Sequence, residues 1–326
     1  MEGVRGFRIL SPAGFIALLI ALIAIAVLMS LLPAPASAYL RDEGFVLRST
    51  SSDSQGLKSK DTACPSGQRA ISGGAFVDPF GPNLALQSAG PLYSVGKFVT
   101  AAAETDPVSD SWRLRDVVHC FQATNNSPNF FLVANGEPYI KSVTTRTRQS
   151  SSSSSGTKTE DVDCGPGRTA ISGGARIVST SRNIALQATS RTAGARGWQA
   201  RAREVDSTSA SWRLNVYAVC ANVTTESGAS DYAHPIQLNS NTTSLSSSSS
   251  RDNFAACSLP APLQRVIGGG AAVLGSGSSR ASRNVALTES YPDGQRWDAR
   301  ARETDPTSSH WRLRVWVVCA GSAPGP

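Results

Sequence analysis

Histidine and methionine are nearly missing from this 326-residue chain, which has three of the first and two of the second. Histidine is the usual general base, so three isolated copies leave little from which to build a Ser/His/Asp constellation. Both methionines, Met1 and Met29, fall within the first 30 positions. The remainder therefore carries no thioether to oxidise, which suits an oxidising exterior. No two cysteines stand at the short C-x2-C spacing with histidines nearby, which argues against zinc. The glycine pairs lack the lysine of a G-x-x-x-x-G-K-[ST] phosphate cradle, and no D-x-D-x-D-G run suggests a calcium loop. Helical periodicity is also absent, and only one long apolar run exists.

That run spans residues 15–32, follows Arg5 and Arg8, and precedes Ala36-Ser37-Ala38. A basic start, an apolar stretch and a small-x-small site describe a secretory signal, here expected to be cut after Ala38. The competing reading is an uncleaved anchor, since the run is just long enough to cross a bilayer. With cleavage no membrane span is left, and the expected location is secreted or extracellular, in part associated with the cell surface.

The rest of the chain repeats itself three times. Cys64-Pro-Ser-Gly-Gln-Arg-Ala-Ile-Ser-Gly-Gly-Ala75 returns at Cys164–Ala175, and more loosely from Cys257 to Gly268-Gly269-Gly270-Ala271. Each copy runs on through Trp112-Arg-Leu, Trp212-Arg-Leu or Trp311-Arg-Leu to a second cysteine: Cys120, Cys220 or Cys319. A long regular period sets architecture, and it divides the chain into a signal peptide (1–38) and β repeats at 39–138, 139–231 and 232–326. Six cysteines allow fifteen pairings. Only Cys64–Cys120, Cys164–Cys220 and Cys257–Cys319 makes three alike, self-contained copies. Each closed loop is worth about 4 kcal/mol in the chain-entropy account.

Within a copy, apolar residues alternate with period two. Trp212, Leu214, Val216, Ala218 and Cys220 share one face of a final strand, and Trp198, Ala200 and Ala202 one face of the strand before it. About six short strands per copy predict an all-β protein of three tandem antiparallel repeats, each with one disulfide. Sandwich-like modules and a pseudo-threefold prism both satisfy the pattern. Asp106-Pro107, Asp206-Ser207 and Asp305-Pro306 suggest a turn joining the last two strands as a hairpin. Serine-rich tracts at 49–54, 150–155 and 244–250 are expected to be flexible hairpin loops. The paired glycines mark a bulge or a place where a bulky neighbour, such as the repeated tryptophan, lies on the backbone.

Chemistry is thinner. His119 takes the place of Val219 and Val318, so the position tolerates a hydrophobe. Glu104 and Asp106 recur as Glu204 and Asp206, and as Glu303 and Asp305. The aspartate suits the turn, whereas alternation points the glutamate at the tryptophan face, where it needs a partner or a bulge. Neither a metal site nor a cofactor site is expected. The net charge is +7, distributed as +1 over 1–38, −2 over 39–138, +5 over 139–231 and +3 over 232–326. On a hairpin, Arg201, Arg203 and Arg213 would share the outer face of copy two, and Arg300, Arg302, Arg312 and Arg314 that of copy three. Copy one has Ala101 and Ala103 instead. Such a face can grip carboxylate or phosphate groups bidentately, and its plain alternative is a solvated surface. Of the six tryptophans only Trp316 is expected outward.

The run Cys64-Pro65-x-Gly67 through Ala70, Gly73 and Gly74 to Trp112-x-Leu114 and Cys120 resembles repeats of secreted bacterial β proteins for which no activity is established. The threefold C-P-x-G pattern is also similar to the vitelline membrane outer layer proteins, which are β-prisms with shorter repeats. That likeness implies the prism option and no reaction. The expectation is an exported, non-catalytic cell-envelope or extracellular surface protein binding an anionic wall polymer or polysaccharide, with no nucleic-acid partner. A carbohydrate-binding module and an extracellular hydrolase are the alternatives.

Overall fold

The computed structural model describes residues 42–79, 81, 83–92, 96–122, 133–134, 137–138, 140–223, 236–258, 264–276 and 284–321. The expected signal peptide lies outside the described residues, as do His234 and most of the segments joining the repeats.

Every element among the described residues is a strand. Repeat 1 forms β1 (Asp42–Ser49), β2 (Leu57–Ala63), β3 (Gln68–Asp78), β4 (Leu84–Pro91), β5 (Lys97–Glu104) and β6 (Arg113–Gln122). A two-residue pair, β7 (Val133–Ala134) and β8 (Glu137–Pro138), precedes repeat 2. Repeat 2 supplies β9 (Ile140–Gln149), β10 (Thr157–Asp163), β11 (Thr169–Val178), β12 (Ile184–Arg191), β13 (Gly197–Glu204) and β14 (Arg213–Val223). Repeat 3 supplies β15 (Ile236–Thr242), β16 (Ser250–Ala256), β17 (Gln264–Gly275), β18 (Val285–Asp293), β19 (Arg296–Glu303) and β20 (Trp311–Gly321).

These strands build three six-stranded antiparallel sheets, and no sheet belongs to one repeat. Sheet I is β1-β6-β3-β18-β19-β16, sheet II is β2-β5-β4-β11-β14-β9, and sheet III is β10-β13-β12-β17-β20-β15. Each repeat gives three strands to one sheet and three to the next. Of the two arrangements left open by the sequence, the fold is therefore the three-sided one. A ring of equivalent residues marks each end of its axis. Ala85, Ala185 and Ala286 pack together at one end, and Ile71, Ile171 and Ile267 belong to one apolar cluster at the other. The isoleucines are extra residues at bulges, where the register skips between Ala70 and Ser72, Ala170 and Ser172, and Val266 and Gly268. A bulge turns one side chain away from its ladder, and here it turns three toward a common centre.

The hairpin expected between the last two strands of each repeat does not form. β5 and β6 lie in different sheets, as do β13 and β14, and β19 and β20. The chain instead turns a corner, and the recurring glutamate holds it. Trp112 Nε1 donates to Glu104 Oε1 at 2.9 Å, with equivalents at Trp212 to Glu204 (3.3 Å) and Trp311 to Glu303 (3.4 Å). The buried indole thus satisfies its only donor, and the carboxylate gains the partner that alternation demanded.

The serine tracts are not free loops either. Each crosses between sheets and pairs in the backbone with the same tryptophan: Trp112 N donates to Asp53 O, Trp212 N to Ser153 O, and Trp311 N to Ser246 O, all at 2.9 Å. A cation fastens each tract, buried in repeats 1 and 2 and half-buried in repeat 3. Lys58 donates to the carbonyls of Ser51 and Asp53, Lys158 to Ser151 O, and Arg251 to Ser246 Oγ. Each cation also lies over the corner tryptophan ring, at 4.9, 4.9 and 5.4 Å from its centroid. Burial lowers the Lys158 ammonium below its ordinary pKa, while the Glu204 charge opposes the fall.

The disulfides are Cys64–Cys120, Cys164–Cys220 and Cys257–Cys319, as the repeat required. Each first cysteine follows a strand of one sheet and each second lies in a strand of another, so every bridge ties two faces of the body together. The glycine pair has two separate reasons. A Cβ on Gly173 or Gly269 would collide with the ring of Trp198 or Trp297. A Cβ on Gly74, Gly174 or Gly270 would strike the backbone of Ser290, Ala89 or Thr189, across the seam where two repeats share a sheet. Any side chain at the second glycine would push the repeats apart.

Candidate functional site

Sharing the sheets regroups the arginines. Arg213 lies in sheet II, away from Arg201 and Arg203 in sheet III. Arg300 and Arg302 lie in sheet I, away from Arg312 and Arg314 in sheet III. The expected groupings within one copy are therefore replaced by groupings across copies, because the last two strands of a copy face different directions. Sheet III collects Arg201 and Arg203 from repeat 2 with Arg312 and Arg314 from repeat 3. Sheet I collects Arg300 and Arg302 with Arg113 and Arg115 of repeat 1.

The outer face of sheet III carries a shallow cavity of about 420 Å³ lined by Thr159, Ser190, Gln199, Arg201, Arg314 and Trp316 over a floor that includes Ala188 and Ala272. Register explains its shape. Thr159 pairs with Arg201, Arg201 with Ala188, Ala188 with Ala272, Ala272 with Arg314, and Arg314 with Thr242, so one row crosses all six strands. Strands lie about 4.8 Å apart, which puts about 14 Å between the backbones that carry the two arginines. Only alanines stand between them. In the adjacent row Gln199 pairs with Ser190 and Gly270 with Trp316, again leaving small residues in the middle.

Both arginines are oriented. Arg201 Nη2 donates to Val273 O at 2.5 Å, which holds its guanidinium over the floor. Arg314 Nε donates to Thr242 Oγ1 at 2.9 Å, and its guanidinium carbon sits 5.7 Å from the Trp316 ring centroid. Trp316 is part-exposed, whereas Trp112, Trp198, Trp212, Trp297 and Trp311 are each no more than 2 % exposed. Arg203 and Arg312 extend the basic surface beyond one end of the cavity on the same sheet. The arrangement offers charge-assisted hydrogen bonds beside an aromatic face and presents no nucleophile with a base.

The other two faces differ. In sheet I, Glu289 bridges Arg300 at 3.3 Å, and burial raises the Glu289 carboxyl to about 7 against the pull of that arginine. Arg113 and Arg115 both bind Asp78, at 2.9 and 2.6 Å. In sheet II the arginine pair is replaced by Ala101 and Asn215, and Tyr217, 2 % exposed, takes the place of Trp316. His119 is a core residue in contact with Phe45 and Phe121, at ring-centroid distances of 4.4 and 4.3 Å.

Sequence reasoning named both cavity arginines and the outward Trp316 but could not assemble them. Ala188 and Ala272 become a floor only through a pairing between repeats. One buried group escaped it as well: Asp116, fully buried, stands where repeats 2 and 3 have Val216 and Val315. The signal was present, since aligning the three copies places an acid among valines. No protein-family model matches the chain, and a search of curated proteins finds none similar to it.

Proposed function

We propose that this is an exported, non-catalytic protein of the cell envelope or extracellular surface, which binds an anionic polymer through the outer face of sheet III. The single observation that carries the reading is the basic cavity between Arg201 and Arg314, where repeats 2 and 3 share a sheet. Two fixed guanidinium groups flanking a floor of small residues suit a chain laid across the sheet. Three disulfides fit an oxidising compartment, and no helix among the described residues is long and apolar enough to cross a membrane.

The test is retention of the purified protein on immobilised polyanions and on isolated cell wall. Arg201→Ala with Arg314→Ala should reduce retention at least tenfold, with a marked dependence on salt. Arg213→Ala, on another sheet, should leave it unchanged. Equal loss in both variants would reduce the effect to net charge and remove sheet III as the site.

A further inference from the structure

The outermost strand of each sheet packs beside the outermost strand of the next: β9 beside β10, β15 beside β16, and β1 beside β2. Two of these edges are stitched together by side chains. At the β9–β10 edge Arg148 bridges Glu160 at 2.7 Å, and Arg146 donates to Asp163 O at 3.3 Å. At the β15–β16 edge Asn241 Nδ2 donates to Asn253 Oδ1 and Asn253 Nδ2 to Asn241 O, both at 3.0 Å, while Asn239 Nδ2 donates to Ala256 O at 2.8 Å.

The registers carry the same places into repeat 1. Arg148 pairs with Val216 and its equivalent Arg48 with Asp116; Glu160 pairs with Ala200 and its equivalent Lys60 with Thr100. Arg146 pairs with Ala218 and its equivalent Val46 with Val118, so the second stitch loses its donor. One edge therefore sets a cation against an acid and another an amide against an amide, whereas the β1–β2 edge sets a cation against a cation. The Lys60 charge acts on the Asp116 carboxyl, the register partner of Arg48, which gathers all three groups at this edge. Asp116 does not serve as the counter-ion: it is fully buried, and neither of its oxygens completes a hydrogen bond. Among the described residues neither Arg48 nor Lys60 makes a hydrogen bond or an ion pair, although Lys60 is half-buried. A half-buried ammonium beside a second cation has lost part of its water with nothing gained in return.

We propose that the β1–β2 edge is an anion site, in which a tetrahedral dianion bridges Arg48 and Lys60 and supplies from outside the chain what Glu160 supplies within it. Two unit charges call for a dianion, since a single carboxylate would neutralise only one of them. A tetrahedral oxyanion presents two oxygens to the arginine fork and keeps another for the lysine, which bonds as a point charge. Arg48 is exposed, so an ester arm on the anion has a way out to solvent. The class is sulfate, phosphate or the phosphate monoester of a larger molecule. This site lies in repeat 1, the repeat with net negative charge, and is separate from the cavity on sheet III.

The experiment is isothermal titration of the purified protein, at constant ionic strength, with sulfate, inorganic phosphate, glucose 1-phosphate and acetate. Sulfate should bind saturably, and Lys60→Glu should remove that site, because it rebuilds the Arg148–Glu160 pair at the β1–β2 edge. Thermal unfolding should show this variant at least as stable as the parent and without the saturable part of its stabilisation by sulfate. Arg48→Gln, which keeps the length of the edge side chain without its charge, should weaken sulfate at least tenfold. The Asp116 charge is the one group at this edge that opposes an anion, so Asp116→Val should tighten sulfate binding, and weaker binding in it would overturn the placement. Glucose 1-phosphate binding as tightly as inorganic phosphate would identify a phosphorylated molecule as the source, and binding at least tenfold weaker would identify the free ion; each supports the class. Sulfate binding unchanged in Lys60→Glu, acetate binding tighter than sulfate, or no saturable sulfate binding would overturn the proposal. Arg201→Ala with Arg314→Ala should leave the Lys60-dependent site intact, so this site and the polymer face of sheet III stand or fall separately.

Discussion

Repeats 2 and 3 enclose apolar side chains where repeat 1 encloses an acid and two hydroxyls. Val162, Ala200 and Val216 of repeat 2, and Ala255, Ala299 and Val315 of repeat 3, belong to one continuous core. Their counterparts are Thr62, Thr100 and Asp116, and Phe98 replaces Trp198 and Trp297. Around these substitutions the core divides: Ala70, Ala89, Phe98, Val118 and Cys120 form a separate small cluster. The Thr62 hydroxyl lies beside the Asp116 carboxyl, yet neither carboxylate oxygen completes a hydrogen bond, and the hydroxyls of Thr62 and Thr100 are buried without partners. Burial raises the Asp116 carboxyl to about 7, reinforced by the Asp61 charge and opposed by Thr62 and Lys60. Identical folds therefore tolerate very different interiors, provided the corner and the seam are intact.

The comparison can be broken by exchange. Val216→Asp would install the unpaired acid in the continuous core and should cost at least 4 kcal/mol at pH 8, from the charge together with lost packing. Urea unfolding at pH 8 measures it. The converse, Asp116→Val, should stabilise by about 4 kcal/mol at pH 8 and by little at pH 4. The sign follows from the proton count. The folded carboxyl titrates near 7 and the unfolded one near 3.8, so the native chain holds the extra proton between them. Stability falls as pH rises through that window and levels above it. Thermal unfolding of both proteins from pH 4 to 8 should show the slope disappear in the variant; an unchanged slope would assign it to another group.

Smaller effects follow. Thr100→Ala removes a buried hydroxyl that has no partner and should stabilise by about 1 kcal/mol, read from urea unfolding. Trp198→Phe makes repeat 2 resemble repeat 1 and should cost about 1–2 kcal/mol. It loses the donation from Trp198 Nε1 to Thr189 Oγ1 at 2.8 Å and leaves space over Gly173. Repeat 1 lacks both members of that bond, having Phe98 and Ala89.

Much of the fold was legible because alternation and cysteine spacing are local. The core face of β14 and the three disulfides follow from them directly. The corner was not, since a strand that turns into the next sheet alternates in the same way as one that turns back in a hairpin. Glu104 was the clue, an acid on the tryptophan side that only a corner explains. The buried lysines were missed because a cation among serines reads as a solvated loop. The cavity was hidden for a different reason: it depends on Ala188 meeting Ala272, and no periodicity within either repeat specifies that contact.

Sharing every sheet between two repeats also sets the order in which the body can be completed. Ala75 and Ser290 pair although they are 215 positions apart, so the inner edge of β3 has no mate until β18 has been made. A chain emerging from its N-terminus exposes that edge throughout, and an open edge next to buried apolar residues invites pairing with other chains. Among the described residues the seam between repeats 3 and 1 is also fastened differently from the other two. Gln87 donates to Arg182 O and Ile184 O, and Gln187 to Val285 O, whereas the third place holds Thr288, which donates to Arg300 O within its own repeat. The ring is thus closed last where Phe76 of repeat 1 meets Tyr291 of repeat 3, at 4.7 Å between ring centroids, which makes the final repeat the lock of the whole assembly rather than its third copy.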